Sequence, residues 1–203
     1  MARKKGVKYK NPLLLLIVVS IIALFVVPPF YEFPLNDDWG FYDDVKLFLE
    51  TGQIKFWEFR TTNNIFTVFW GAIFSAIFGL SYSTLKFSVM FLSIFGIIGM
   101  YLLLRALKFK AWHAFFGALI LLFNPIYYNL SHTFMTDVPF IVLTIYAVYF
   151  YVQGFNKNSN FYLLIGTVFS IFSFLTRQFG ILTQIAVAAY YFIYKRDDFF
   201  KIK

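Results

Sequence analysis

Cysteine is absent from this sequence, histidine occurs only at His113 and His132, and charged residues make up 14% of the chain. Without cysteine there is no disulfide, no thiolate nucleophile and no cysteine-ligated metal. Two histidines are too few for a histidine-rich metal site. The chain has no glycine-rich phosphate loop, no Gly-x-Ser-x-Gly elbow and no His-Glu-x-x-His pair. The soluble apparatus of nucleotide binding, serine hydrolysis and zinc proteolysis is therefore missing. Internal repeats and low-complexity linkers are missing as well. What remains is apolar: 60% hydrophobic and 24% aromatic residues, where a soluble domain has roughly half apolar and a quarter charged. The apolar residues come in long blocks rather than alternating, and such blocks need a nonaqueous solvent.

The blocks predict an all-α, polytopic membrane bundle. Six spans are expected, near 12–29, 84–104, 112–128, 138–155, 161–176 and 179–194. The first follows a basic start but runs into Pro28-Pro29 rather than a small-residue cleavage site, so it reads as an uncleaved span. A seventh apolar stretch, 65–80, is short and carries Gly71, Ser75 and Gly79, which suits a helix lying in the interface. Charge selects between the readings. With 65–80 flat, the segments 1–11, 105–111, 156–160 and 195–203 share one side and hold 13 of the 18 lysines and arginines. The positive-inside rule makes that side cytoplasmic. The expected layout is one transmembrane domain over 1–203. It has a cytoplasmic tail at 1–11, an outside loop with interfacial helices at 30–83, five further spans over 84–203, and both termini cytoplasmic at the cell membrane. The net charge of +8 is then a topology signal, and no basic stripe points to nucleic acid.

Within the outside loop, Asp37 or Asp38 can cap a helix running to about Thr51 with Gly52 as its stop. Phe41, Val45 and Phe48 fall on one face, while Asp43, Asp44 and Glu50 make the others polar. Phe56, Trp57, Phe59 and Trp70 suit an interfacial aromatic belt. Three places carry chemistry. In Asn36-Asp37-Asp38-Trp39, adjacent carboxylates near a low-dielectric surface can act as a general base or bind a cation; the alternative is a helix cap in a solvated loop. Asp137, before Val138-Pro139, is either an N-cap or a site acid. Arg177 interrupts the apolar run from Phe161 to Tyr194. An arginine at membrane depth is functional by default and suits phosphate, unless it snorkels from a helix junction. His132 shares the outside face with Asp137, whereas His113 lies among the basic cytoplasmic residues.

The order of these features resembles the GT-C class of membrane glycosyltransferases, which includes protein O-mannosyltransferases, aminoarabinose transferases and bacterial relatives. The likeness runs along the whole chain: a first span, the paired acids, a helix ending in Thr51-Gly52, a flat apolar helix, and Leu102-Leu103-Leu104-Arg105. Phe123-Asn124-Pro125, Thr136-Asp137-Val138-Pro139-Phe140 and Leu175-Thr176-Arg177-Gln178 follow. The resemblance implies an inverting hexosyl or pentosyl transfer from a polyprenyl-phosphate sugar to a glycan, lipid or protein acceptor on the outer face. It makes Asp37 the expected catalytic acid, with Asp38 at a position often held by glutamate and Asp137 as a second acid. Arg177 becomes the contact for the lipid phosphate, with His132 and Trp39 as further substrate contacts. The resemblance makes no cofactor certain and leaves a divalent cation as an option. Asp37, Asp137 and Arg177 are expected to converge on one cavity. The sequence departs from the class at Thr61-Thr62-Asn63-Asn64, where a Pro-Pro-Leu-like segment is usual. It also ends soon after its last span, as either a fragment of a longer enzyme or a naturally short relative would. Two rival readings are a transporter or lipid flippase, and a non-catalytic subunit that binds lipid-linked sugar.

Overall fold

The computed structural model describes residues 12–55 and 62–194. Among these the chain is all-helical. Its helices are α1 (Leu13–Phe25), α2 (Asp38–Thr51), α3 (Ile65–Phe78), α4 (Tyr82–Ala106), α5 (Ala111–Leu122), α6 (Pro125–Leu130), α7 (Asp137–Lys157), α8 (Asn160–Thr176) and α9 (Ile181–Tyr194), with a single 3-10 turn at Gln178–Gly180 between α8 and α9.

Local chemistry sets the helix ends. Pro28 has no N–H to offer Leu24, so α1 cannot extend through it. The orphaned carbonyls of its last turn are taken up by side chains from elsewhere: the Tyr128 hydroxyl donates to Ala23 O at 2.7 Å, and His132 Nε2 lies 2.9 Å from Leu24 O. Asp37 stands at the N-cap position of α2, and Gly52, at φ 70°, ends it in the left-handed conformation that glycine adopts without strain. The expected boundaries of this helix are therefore met. The expected span 112–128 is broken instead. At Phe123–Asn124 the chain turns, Asn124 Oδ1 accepts from Ile126 N and Tyr127 N at 3.0 and 3.1 Å, and Pro125 opens the short α6. Asn-Pro is both a cap and a helix-start signal, and it outweighs the apolar pattern here.

Helix α7 packs between α4 and α8. Its alignment with α4 is fixed near the far end, where Asn156 Nδ2 donates to Ala106 O at 3.3 Å, and near the middle, where the Tyr146 hydroxyl reaches Phe95 O at 3.1 Å. Hydroxyls tie α8 to its neighbours: Thr144 to Ser173 at 2.8 Å, Tyr151 to Thr167 at 3.2 Å, and Ser170 to Thr183. Such bonds contribute about 0.6 kcal/mol each between membrane helices. Two helices, α4 and α7, are long and apolar enough to cross a membrane; α1, α3, α5, α8 and the 178–193 segment are apolar but shorter. The tail 1–11 and the belt residues Phe56, Trp57 and Phe59 lie outside the described residues. Trp70 is half-buried in a stack with Phe66, Phe74 and Phe91, and its indole N–H donates to Ser88 O at 3.0 Å.

Gly71 of α3 is the closest approach among α2, α3, α4 and the segment before α7. A Cβ there would stand 2.6 Å from Phe134 Cζ and 3.0 Å from both Leu85 Cδ2 and Val45 Cγ2. Phe134, Leu85 and Val45 are themselves buried, so none can swing aside. Gly71→Leu is expected to cost about 1–3 kcal/mol, read as a lowered thermal transition in detergent, while Ile77→Leu on the exposed side of α3 leaves the transition in place.

Candidate functional site

The site forms where α8 ends. Arg177 leaves helical geometry at φ −146° and ψ 140°, which frees its side chain to cross to the first turn of α7. Its Nε donates to Thr136 Oγ1 at 2.8 Å, and its Nη2 donates to Asp137 Oδ2 at 2.9 Å. The guanidinium and the carboxylate are 28% and 25% exposed. The fork is thus held by two of its edges, and its remaining donors have no partner among the described residues. Asp137 opens α7, where a carboxylate also complements the helix dipole.

Two tethers bring α2 to this node. Asp38, with no exposed surface, accepts from Phe134 N at 3.4 Å, three residues before Asp137. Asp44, also buried, accepts from Asn64 Nδ2 at 2.6 Å; Asn64 N in turn donates to Thr176 O at 3.2 Å, and Asn63 Nδ2 donates to Phe174 O at 2.9 Å. The second acid of each pair on α2 therefore faces inward, while Asp37 and Asp43 are exposed. Phe41 and Val45 are buried as their spacing predicts, but Asp44 is not on a polar face as expected. Its partner Asn64, at φ 42°, is supplied by a loop that helical periodicity does not reach.

The expected site residues are distributed as follows. Arg177 and Asp137 are in direct contact. Asp38 touches the segment leading to Asp137. Asp37 makes no side-chain hydrogen bond among the described residues and stands one residue from Asp38, open to solvent. Trp39 is 49% exposed beside it. His132 is buried, and both its ring nitrogens face backbone carbonyls, Tyr128 O and Leu24 O, each at 2.9 Å. It closes the end of α1 and has no free edge for a substrate. No group of three Asp, Glu or His side chains gathers among the described residues. Thr136, Asn63, Asn64 and Asp44 were not singled out from the sequence. The signals for them are that Asn63-Asn64 replaces an expected proline-rich segment and that Thr136 stands in the motif with Asp137.

These features define an all-helical protein rich in apolar helices, whose polar side chains gather where α8 ends and α7 begins, with α2 tied to that place through Phe134 and Asn64. Residues 63–202 match the sequence profile of the dolichyl-phosphate-mannose-protein mannosyltransferase family. The chain belongs to that family, as a membrane glycosyltransferase of the GT-C type. The matched region holds Asn63, His132, Thr136, Asp137 and Arg177; Asp37, Asp38 and Trp39 precede it. No curated protein and no solved structure matches the chain.

Burial holds the Asp38 carboxyl above its ordinary range, against the opposing pull of the Phe134 and Leu35 N–H groups and of the Lys86 charge. A carboxyl raised on folding resists ionisation in the folded state. Its stabilising share is complete below the unfolded value and is lost as pH rises through the folded one. Asp38→Asn does not titrate. Its thermal transition should therefore gain on that of the wild type as pH rises from about 4 to about 7. Parallel pH curves for the two proteins would show that Asp38 is not buried as described.

Proposed function

We propose that the chain transfers a sugar from a polyprenyl-phosphate donor to an acceptor hydroxyl at the outer face of the membrane, with inversion at the anomeric carbon. The observation that carries the reading is the Arg177 fork, held by Thr136 and Asp137 with one side open. A planar guanidinium with spare donors is suited to a phosphate monoester or diester, and the carboxylate behind it fixes its direction rather than competing for the open side. In the transfer, Asp37 accepts the proton of the acceptor O–H as that oxygen attacks the anomeric carbon. The bond from that carbon to the phosphate oxygen breaks, and the polyprenyl phosphate leaves with its charge beside Arg177. Asp38 holds α2 and so sets where Asp37 stands.

Two further observations support the membrane side of the reading. Helix α9 begins four residues after Arg177, and between α9 and α7 runs an apolar groove of about 430 Å³ lined by Val148, Val152, Phe155, Leu182, Val187 and Tyr190. A prenyl chain hung from a phosphate at Arg177 has this groove below it, over eight residues or about 12 Å of α9. The helix order also puts Arg105, Lys108, Lys110 and Lys157 at the end opposite Asp137 and Arg177. That separation is what a cytoplasmic basic end and an outer reaction face require. Helix α3 makes its aromatic contacts with Phe87 and Phe91 of α4 and with Phe172 of α8, levels near the Arg177 end, as a helix lying along the outer interface would.

The test uses the full chain in liposomes with polyprenyl-phosphate mannose as donor. Asp37→Asn, which removes basicity at nearly constant shape, should reduce transfer by about a hundredfold or more while the protein inserts and melts normally. Arg177→Lys, which keeps the charge but loses the fork, should raise the donor KM about tenfold. Normal turnover in Asp37→Asn would reduce Asp37 to a helix cap and overturn the mechanism.

A further inference from the structure

The loop that delivers the acid pair is bolted to α4 at two points. Glu32 accepts from the first backbone N–H groups of α4, Tyr82 N and Ser83 N, each at 3.2 Å. One turn further along, Lys86 is 1% exposed, and its ammonium donates to Tyr31 O at 3.0 Å and Phe33 O at 2.5 Å. The ring of Phe33 lies 5.0 Å from the ammonium and that of Tyr82 lies 5.8 Å away, within the range of a cation–π attraction. The carboxylates whose charges act on Lys86 are Asp38 and Glu32. Asp38 has its Oδ1 buried without a hydrogen bond, and the Lys86 charge adds to the pull of the Phe134 and Leu35 N–H groups on the carboxylate. A lysine closed off from water costs free energy unless it is paired and hydrogen-bonded. Here that cost is offset by contacts that, apart from the Tyr82 ring, converge on residues 31–38.

We propose that Lys86 is a positioning residue for the transfer reaction: its ammonium pins residues 31–33 to α4 and, by answering the charge of Asp38, fixes the stance of the Asp37–Asp38 pair. Glu32 is the second bolt. The activity arm of this inference rests on the function proposed above; the structural arm does not. An ordinary core contact would contribute stability alone. Lys86 instead controls a loop whose far end carries the proposed base, so its removal acts on turnover more than on donor binding, which belongs to Arg177.

The chain lacks cysteine, so a single thiol introduced at Leu35, which is half-buried in this loop, is a clean reporter. Labelling by a membrane-impermeant maleimide is measured in vesicles of the full chain. Lys86→Met should speed labelling of Leu35→Cys roughly tenfold, while a control thiol at the exposed Asn129 labels at an unchanged rate. In the transfer assay the same Lys86→Met substitution should lower kcat by roughly tenfold or more with the donor KM nearly constant. Glu32→Gln, an exposed change that the fold tolerates, should give a smaller rise in labelling and decides the matter if Lys86→Met fails to fold. Unchanged labelling in both variants overturns the proposal, as does a Lys86→Met protein that raises the donor KM and spares kcat. If the wild type transfers no sugar while labelling responds as expected, the functional reading fails and the loop clamp stands.

Discussion

An arginine set in an apolar stretch cannot stay unpartnered, and the two acceptors of Arg177 lie side by side at the start of one helix. Thr136 Oγ1 and Asp137 Oδ2 take its Nε and Nη2 at 2.8 and 2.9 Å. This fork ties the end of α8 to the start of α7, the two helices with the most extensive mutual packing in the chain. Its direct contribution to stability is modest, about 0–1 kcal/mol for a pair this exposed. Its consequence is geometric: a guanidinium aimed outward from a fixed base. The hydroxyl rungs between α7, α8 and α9 below it keep the helices in the register that the fork needs.

Everything else at this end of the molecule refers α2 to that node. Asp38 and Asp44 turn inward as tethers, one to the start of α7 and the other, through Asn64, to the end of α8. Glu32 and Lys86 fasten the preceding loop to α4. The carboxylates of the first loop therefore divide their labour. Those that are buried or engaged in capping hold the loop, and Asp37 is exposed, with no side-chain hydrogen bond among the described residues. Neighbouring identical residues in Asp37-Asp38 take opposite roles because a helix start turns successive side chains about 100° apart.

Helix positions and the Arg177–Asp137 pairing were within reach of the sequence because each follows from a strong local rule. Apolar blocks mark α4, α7 and α8, Gly52 stops α2, and an embedded arginine demands a carboxylate. The break at Asn124-Pro125 was legible in principle, since Asn-Pro is a start signal, but the surrounding apolar run masked it. The inward turn of Asp44 was not legible, because its partner Asn64 is twenty residues away in a loop with no periodicity. The packing of His132 was not legible for a similar reason. A histidine near an acid reads as a site residue, yet Pro28 leaves Leu24 O without an N–H donor and the imidazole fills that gap. Lys86 carries no local signal, since a lysine near a span end ordinarily snorkels to water, and only the fold shows it covered by residues 31–33.

The central claim is that the open side of the Arg177 guanidinium receives the phosphate of a lipid-linked donor. An electron cryo-microscopy map of the full chain in lipid nanodiscs with bound polyprenyl phosphate tests it most directly. The account predicts phosphate density within hydrogen-bond distance of Arg177, about 2.7–2.9 Å for such charge-assisted contacts, with the prenyl chain entering the groove between α7 and α9. Phosphate density elsewhere, with the open side of the Arg177 guanidinium unoccupied and the groove empty, would contradict it.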